Sequence, residues 1–131
     1  MSFKTEFVKK AKEYLGEDLE EKIIKSGHEA IIHKYLWSVV SEIGTVKNPT
    51  FHQRIGYSNT RIVMDNIEFK TEVKTENNTI AIEKIIDGEL TSIDTIVVQD
   101  GELFALGRNT KFTTEILEDY LREAFGEKLG L

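Results

Sequence analysis

Phe3, Phe7, Val8, Ala11, Tyr14 and Leu15 recur at the spacing of one helix face, with Ser2 placed to cap it. Leu19, Ile23 and Ile24 continue that pattern beyond Gly16. The charges point to a break at Gly16. Lys9, Lys10 and Lys12 suit the end of one helix, Glu17 and Asp18 the start of another, and Lys22 and Lys25 its end. The pattern therefore predicts two short helices, or one kinked helix, ending at Ser26-Gly27.

The helix that follows, from His28 to Ile43, has the clearest stripe in the chain. Ile31, Ile32, Tyr35, Leu36, Val39, Val40 and Ile43 share one broad face, and Gly44 is a natural stop. Trp37 points about 150° away from the centre of that face, beside Ala30, Lys34 and Ser41. A large aromatic on the nominally wet side needs cover. The favoured source is the N-terminal helices folding over Trp37, whose own apolar residues need a partner. The alternative is an exposed anchor for another protein or a second subunit, with Trp37, Lys34 and Ser41 as the candidate partner surface.

From Lys47 the period changes to that of strands. Asn48-Pro49 punctuates, Phe51 to Ile55 suits a short strand, and Gly56-Tyr57-Ser58-Asn59 reads as a turn. Ile62 and Met64 sit at even positions, but Ile67, Phe69, Thr71 and Val73 at odd ones. A turn or bulge at Asp65-Asn66 reconciles the two sets. Ile80–Ile86, Thr91–Val98 and Leu103–Leu106 follow as strands, joined by Asp87-Gly88 and Asp100-Gly101, which are strong hairpin signals. Glu68, Lys70, Glu72 and Lys74 form a solvated sheet face. Ile96-Val97-Val98 and Leu103–Leu106 lack alternation, which predicts cover on both faces, a bend or an interface. The chain closes on a helix capped by Thr113, stapled by Phe112 and Leu117, and ended by Gly126. The sum is one α+β domain over residues 1–131: N-terminal helices, an antiparallel meander of about 4–6 strands, and a C-terminal helix.

Composition narrows the chemistry. At 131 residues, 40% hydrophobic and 31% charged, the chain is an ordinary globular domain. It has no cysteine, so disulfides, thiol nucleophiles and cysteine-held metals are excluded. Residues 1–65 carry 10 basic and 9 acidic side chains, and residues 66–131 carry 7 and 14, giving the net charge of −6. An acidic second half with four arginines in the whole chain disfavours nucleic-acid binding. No run approaches the roughly 18 apolar residues of a membrane span, and the charged N-terminus carries no secretory signal. A cytoplasmic protein with no membrane association is expected.

No chemical motif stands out. Neither a glycine-rich nucleotide loop nor a G-x-S-x-G elbow occurs. Glu29 and His33 are spaced to share a metal, but two ligands do not close a site, so no metal and no cofactor is expected. Arg108 and Lys111, just before the last helix, are a weak anion-loop candidate against a reading as two solvated cations.

Phe7-Val8-Lys9-Lys10-Ala11-Lys12-Glu13-Tyr14-Leu15-Gly16, Leu19 to Ile24, Lys47-Asn48-Pro49-Thr50-Phe51 and Arg61-Ile62-Val63-Met64-Asp65 give the chain a resemblance. It resembles a family of small uncharacterised cytoplasmic proteins of Bacillus-type bacteria, which has no assigned activity. The resemblance implies a bacterial cytoplasmic protein and no catalytic residue.

Three functions compete. The first is a non-enzymatic interaction protein (adaptor, chaperone-like or immunity-type), with a protein partner or a homodimer. The second is a small-ligand or enzymatic pocket between sheet and helices, for which His33, His52, Tyr57 and Arg61 are candidate polar groups by residue type. The third, a mimic of acidic nucleic acid, is weak at a charge of −6.

Overall fold

The structure, a computed structural model, describes residues 2–131, the side chains of residues 16–18 excepted. Ser2 caps the first helix, α1 (Phe3–Gly27), its hydroxyl accepting from the Thr5 amide. The chain does not break at Gly16 or at Gly27. Gly27 is helical (φ −67°, ψ −41°), and an i→i+5 turn over His28–His33 passes directly into α2 (Lys34–Ile43). The expected pair of short or kinked helices is thus replaced by one rod from Phe3 to Ile43. A helix-interior glycine costs about 1 kcal/mol, too little to stop a helix by itself. Gly27 serves close packing instead: a Cβ there would lie 2.3 Å from Leu103 Cδ1.

The wide turn has a packing reason. Ile24, His28, Ile32, Leu36 and Val40 form a strict i+4 row, and all five are buried. In a pure α-helix each such step overshoots a full turn by about 40°, so four steps would swing the row about 160° off the sheet. One extra residue in the wide turn takes back about 100° of that. The row therefore keeps facing the sheet along its length.

Seven strands follow in an antiparallel meander, and their spatial order is their chain order: β1 (Phe51–Ile55), β2 (Asn59–Met64), β3 (Ile67–Lys74), β4 (Thr79–Ile86), β5 (Glu89–Gln99), β6 (Glu102–Ala105) and β7 (Thr110–Lys111). Asp65-Asn66 makes a two-residue loop that sets Met64 opposite Ile67, which explains the change of parity between β2 and β3. Asp87-Gly88 and Asp100-Gly101 turn the β4–β5 and β5–β6 hairpins with positive φ at both residues. The sheet has one strand more than the upper end of the expected 4–6. Asn109, at φ 51°, returns the chain so that Thr110-Lys111 pairs beside Phe104-Ala105. A two-residue strand carries no readable alternation.

A bulge in β5 accommodates Ile93 between the partners of Ile82 and Glu83 and leaves Asp94 pointing inward. The final helix, α3 (Thr114–Leu129), starts as expected at Thr113, whose hydroxyl accepts from the Ile116 amide, with Phe112 and Leu117 both buried. The described core joins the inner sheet face (Ile62, Phe69, Ile80, Ile82, Ile96) to Leu36 of α2 and Leu117 of α3. On β5 and β6 the inner residues Ile96, Leu103 and Ala105 are buried and Val98, opposite Leu103, is half-buried against the core, while Val97 and Phe104 are half-buried on the other side. The fold is α+β with an antiparallel sheet.

Candidate functional site

Among the described residues, the N-terminal part of the rod packs against nothing else in the chain. From Phe3 to Glu20, no described side chain is buried, and Ala11 alone among them is half-buried. Phe3 is 80% exposed, and Phe7, Val8, Tyr14, Leu15 and Leu19 are all exposed. These are the apolar residues whose spacing marked a buried face. At about 1.5 Å per residue the uncovered stretch runs roughly 27 Å. Ile24 is the first buried apolar residue of α1, and Gly27 against Leu103 marks where the rod lands on the sheet. Helices of this length are marginal alone in water, and most helical stability comes from packing an apolar face.

Trp37 is 55% exposed, which corrects the expectation that the N-terminal helices cover it. The physical reason is the unbroken rod: a segment collinear with α2 cannot fold back over it. Lys34 and Ser41 are exposed beside it, but the Ser41 hydroxyl donates to the Trp37 carbonyl at 2.7 Å, so it is spent on its own helix. The patch is therefore an aromatic with one cation nearby.

Two of the three histidines serve the fold. His28 is buried, with Nδ1 2.7 Å from the Tyr57 carbonyl and Nε2 2.8 Å from Thr71 Oγ1. The carbonyl can only accept, so Nδ1 carries the proton and Nε2 accepts from Thr71. Thr71 Oγ1 in turn accepts from the Thr60 hydroxyl at 2.6 Å. Burial is the main force holding the His28 pKa down, to about 4; the bond to Tyr57 works against it, and His33 adds to the lowering. His33 Nδ1 donates to the Gly56 carbonyl at 3.1 Å, and its ring lies 4.6 Å from that of Tyr57. Together the two histidines clamp the wide turn of the rod onto the β1–β2 loop. His33 and Tyr57 thus come together, whereas Glu29 is exposed and His52 lies on the open side of β1. Among the described residues, no three His, Asp or Glu side chains gather as a metal site.

A cavity of about 490 Å³ lies between α2, β2 and α3, lined by Tyr35, Val39, Ile43, Ile62, Met64 and Phe125 among others. Its polar groups are already engaged. The Tyr35 hydroxyl donates to Glu118 Oε2 at 2.8 Å, and Arg122 donates to Asp119 at 2.6 Å. Burial, followed by Glu118, raises the Tyr35 pKa above its ordinary value. None of His33, His52, Tyr57 and Arg61 lines this cavity.

The anion-loop candidates are likewise committed. Lys111 pairs with Glu102 at 3.1 Å, and Arg108 lies 3.6 Å from Glu123 and 5.3 Å over the Tyr120 ring. Tyr120 donates to the buried Asp94, whose other oxygen accepts from the Gly107 and Thr95 amides at 2.6 and 2.7 Å. Burial first, then Asp94, raises the Tyr120 pKa far above the usual phenol range. This is a satisfied knot that ties α3 to the β5 bulge.

One feature was hidden from the sequence. The strand registers set Arg54 opposite Arg61, and Arg61 opposite Lys70, a row of three cations across the outer sheet face. Like charges directly opposite one another are unfavourable in a sheet. Glu68 bonds Arg61, and Glu83 stands opposite Lys70, which offsets the row. The three residues lie on three strands, so only the register could have revealed them.

Comparison with curated proteins returned no match, nor did comparison with solved structures. A family described as protein of unknown function (DUF3942) matches residues 5–129. That match runs from the arm to the end of α3, and the chain is a member of the DUF3942 family.

Proposed function

We propose that the chain is a non-enzymatic interaction protein, bacterial and cytoplasmic, of the Bacillus-type organisms its sequence resembles, and that the N-terminal arm is its binding element. The single observation that carries this reading is the arm itself: a helical stretch with an aromatic and aliphatic stripe that, among the described residues, nothing in its own chain covers. The polar knots of the body are satisfied and hold its elements together, which supports a scaffold rather than a catalyst. The partner's class is a protein surface able to bury a helix face, by the helix-in-groove or helix-pairing mode. Trp37 is a second, smaller anchor on the same rod.

The runner-up is a small apolar ligand in the cavity between α2 and α3. Its support is the volume and apolar lining of that cavity.

A photocrosslinking residue at Tyr14, introduced in the cell that makes the protein, tests the main reading. A discrete adduct is expected there, and none with the same residue at Glu72 on the solvated sheet face. Equal labelling at both positions, or none at Tyr14, contradicts it.

A further inference from the structure

The cavity between α2 and α3 has a shape and a charge that together select a class of ligand. Each helix seats one row on the sheet, Leu36 and Val40 from α2 and Leu117 and Ala124 from α3, and all four are buried. The neighbouring rows, Tyr35, Val39 and Ile43 of α2 and Leu121, Phe125 and Leu129 of α3, line the gap left between the helices, over the inner face of β2. From its first residue to its last, each row rises about 12 Å. Beyond Ile43 and Leu129 the trough runs on into a second depression of about 260 Å³. An apolar cavity of about 150 Å³ takes a benzene ring. This one, at about 490 Å³, has room for a longer body.

The charges around the trough do not balance. Among the described residues, Glu118 and Arg122 are the charged side chains of the cavity lining. Arg122 is spent, because it donates to Asp119 Oδ1 at 2.6 Å. Glu118 is not. One of its oxygens accepts from the Tyr35 hydroxyl at 2.8 Å, which holds the carboxylate at the cavity wall. The other accepts no bond from the described residues, and no described cation pairs with it. In the adjoining depression Asp65 and Lys128 pair with each other at 3.5 Å. One negative charge is therefore left over beside an apolar trough. A ligand with a carboxylate head sets like against like there, and a neutral one leaves Glu118 without a counter-charge. We infer that the cavity takes a hydrophobic primary amine, its body between the two helix rows and its ammonium on Glu118.

This inference rests on the apolar-ligand reading of the cavity and is independent of what the arm binds. Decylamine, decanol and decanoate share one apolar body and differ in the charge of the head, so calorimetric titration of the chain with each separates body from head. Decylamine is expected to bind at least roughly tenfold more tightly than decanol, as for a hydrogen bond to a charged group, and decanoate more weakly than either. Glu118→Gln, at an exposed position where the amide oxygen still accepts from Tyr35, brings decylamine to the level of decanol and leaves decanol unchanged. Glu115→Gln removes the same charge from the same helix outside the cavity and changes none of the three. Val39→Phe puts a ring into the trough and weakens all three. Equal binding of decylamine and decanol, a preference for decanoate, or equal losses in E118Q and E115Q overturns the amine; in those cases weakening by V39F keeps the apolar cavity as a binding site. If none of the three binds, or V39F changes nothing, the cavity reading falls as well.

Discussion

At the scale of single residues, His28 and Trp37 show how a type that suggests chemistry can turn out structural, and the reverse. Folding buries His28 and holds its pKa at about 4, against the ordinary 6.5 of an unfolded chain. The unfolded state therefore binds a proton more readily, and stability is full above about pH 6.5 and is lost as pH falls toward 4. The difference amounts to roughly 3 kcal/mol, to be read from denaturant unfolding across that window. His28→Gln, which keeps one donor and one acceptor without titrating, is expected to flatten that part of the pH dependence; an unchanged slope places the effect elsewhere. Trp37 is the opposite case. A buried tryptophan costs about 3–5 kcal/mol to truncate, but this one is more than half exposed. Trp37→Ala is expected to leave monomer stability within about 0.5 kcal/mol, and Trp37 emission, from the chain's single tryptophan, to be that of a solvated indole. A loss of several kcal/mol means that something in the chain covers it.

Among the elements, the rod carries the argument. Gly27 lets it lie on Leu103 where any Cβ would collide, so Gly27→Ala is expected to destabilise the fold by about 1–2 kcal/mol despite alanine's better helix propensity. Unfolding of G27A with and without Leu103→Ala checks this; if the two losses simply add, the contact is not the cause. The same rod shows what the sequence made legible. The Asp-Gly hairpins, the Asp65-Asn66 parity change, the Thr113 cap and the α3 stripe are local signals, and each is where its residues place it. Gly16, Gly27 and the charge changes around them suggested helix ends, but a glycine can serve packing as well as a stop, and local spacing cannot tell these apart. The i+4 row from Ile24 to Val40 is visible in the sequence only once a wide turn is allowed for. The same holds for the site: the arm's stripe was legible and its lack of cover was not, because cover depends on where the chain goes next. The Arg54–Arg61–Lys70 row depends on register and had no sequence signal.

The whole molecule is a compact body with closed polar knots and a rod whose far end, among the described residues, is uncovered. Among the described residues, no helix is long and apolar enough to cross a membrane, so the stripe on the arm is not a span. The family match covers arm and body together, which fits a protein whose body holds and orients the arm. Everything proposed for the arm depends on its projecting from the body instead of folding back over Trp37. Spin labels on cysteines introduced at the exposed positions Thr5 and Ser38, in protein diluted with unlabelled chain, measure this directly by their separation. The continuous rod predicts one distance of about 50 Å, the rise of 33 helical residues. A dominant distance below about 25 Å, the span of a helical hairpin of this length, would contradict it.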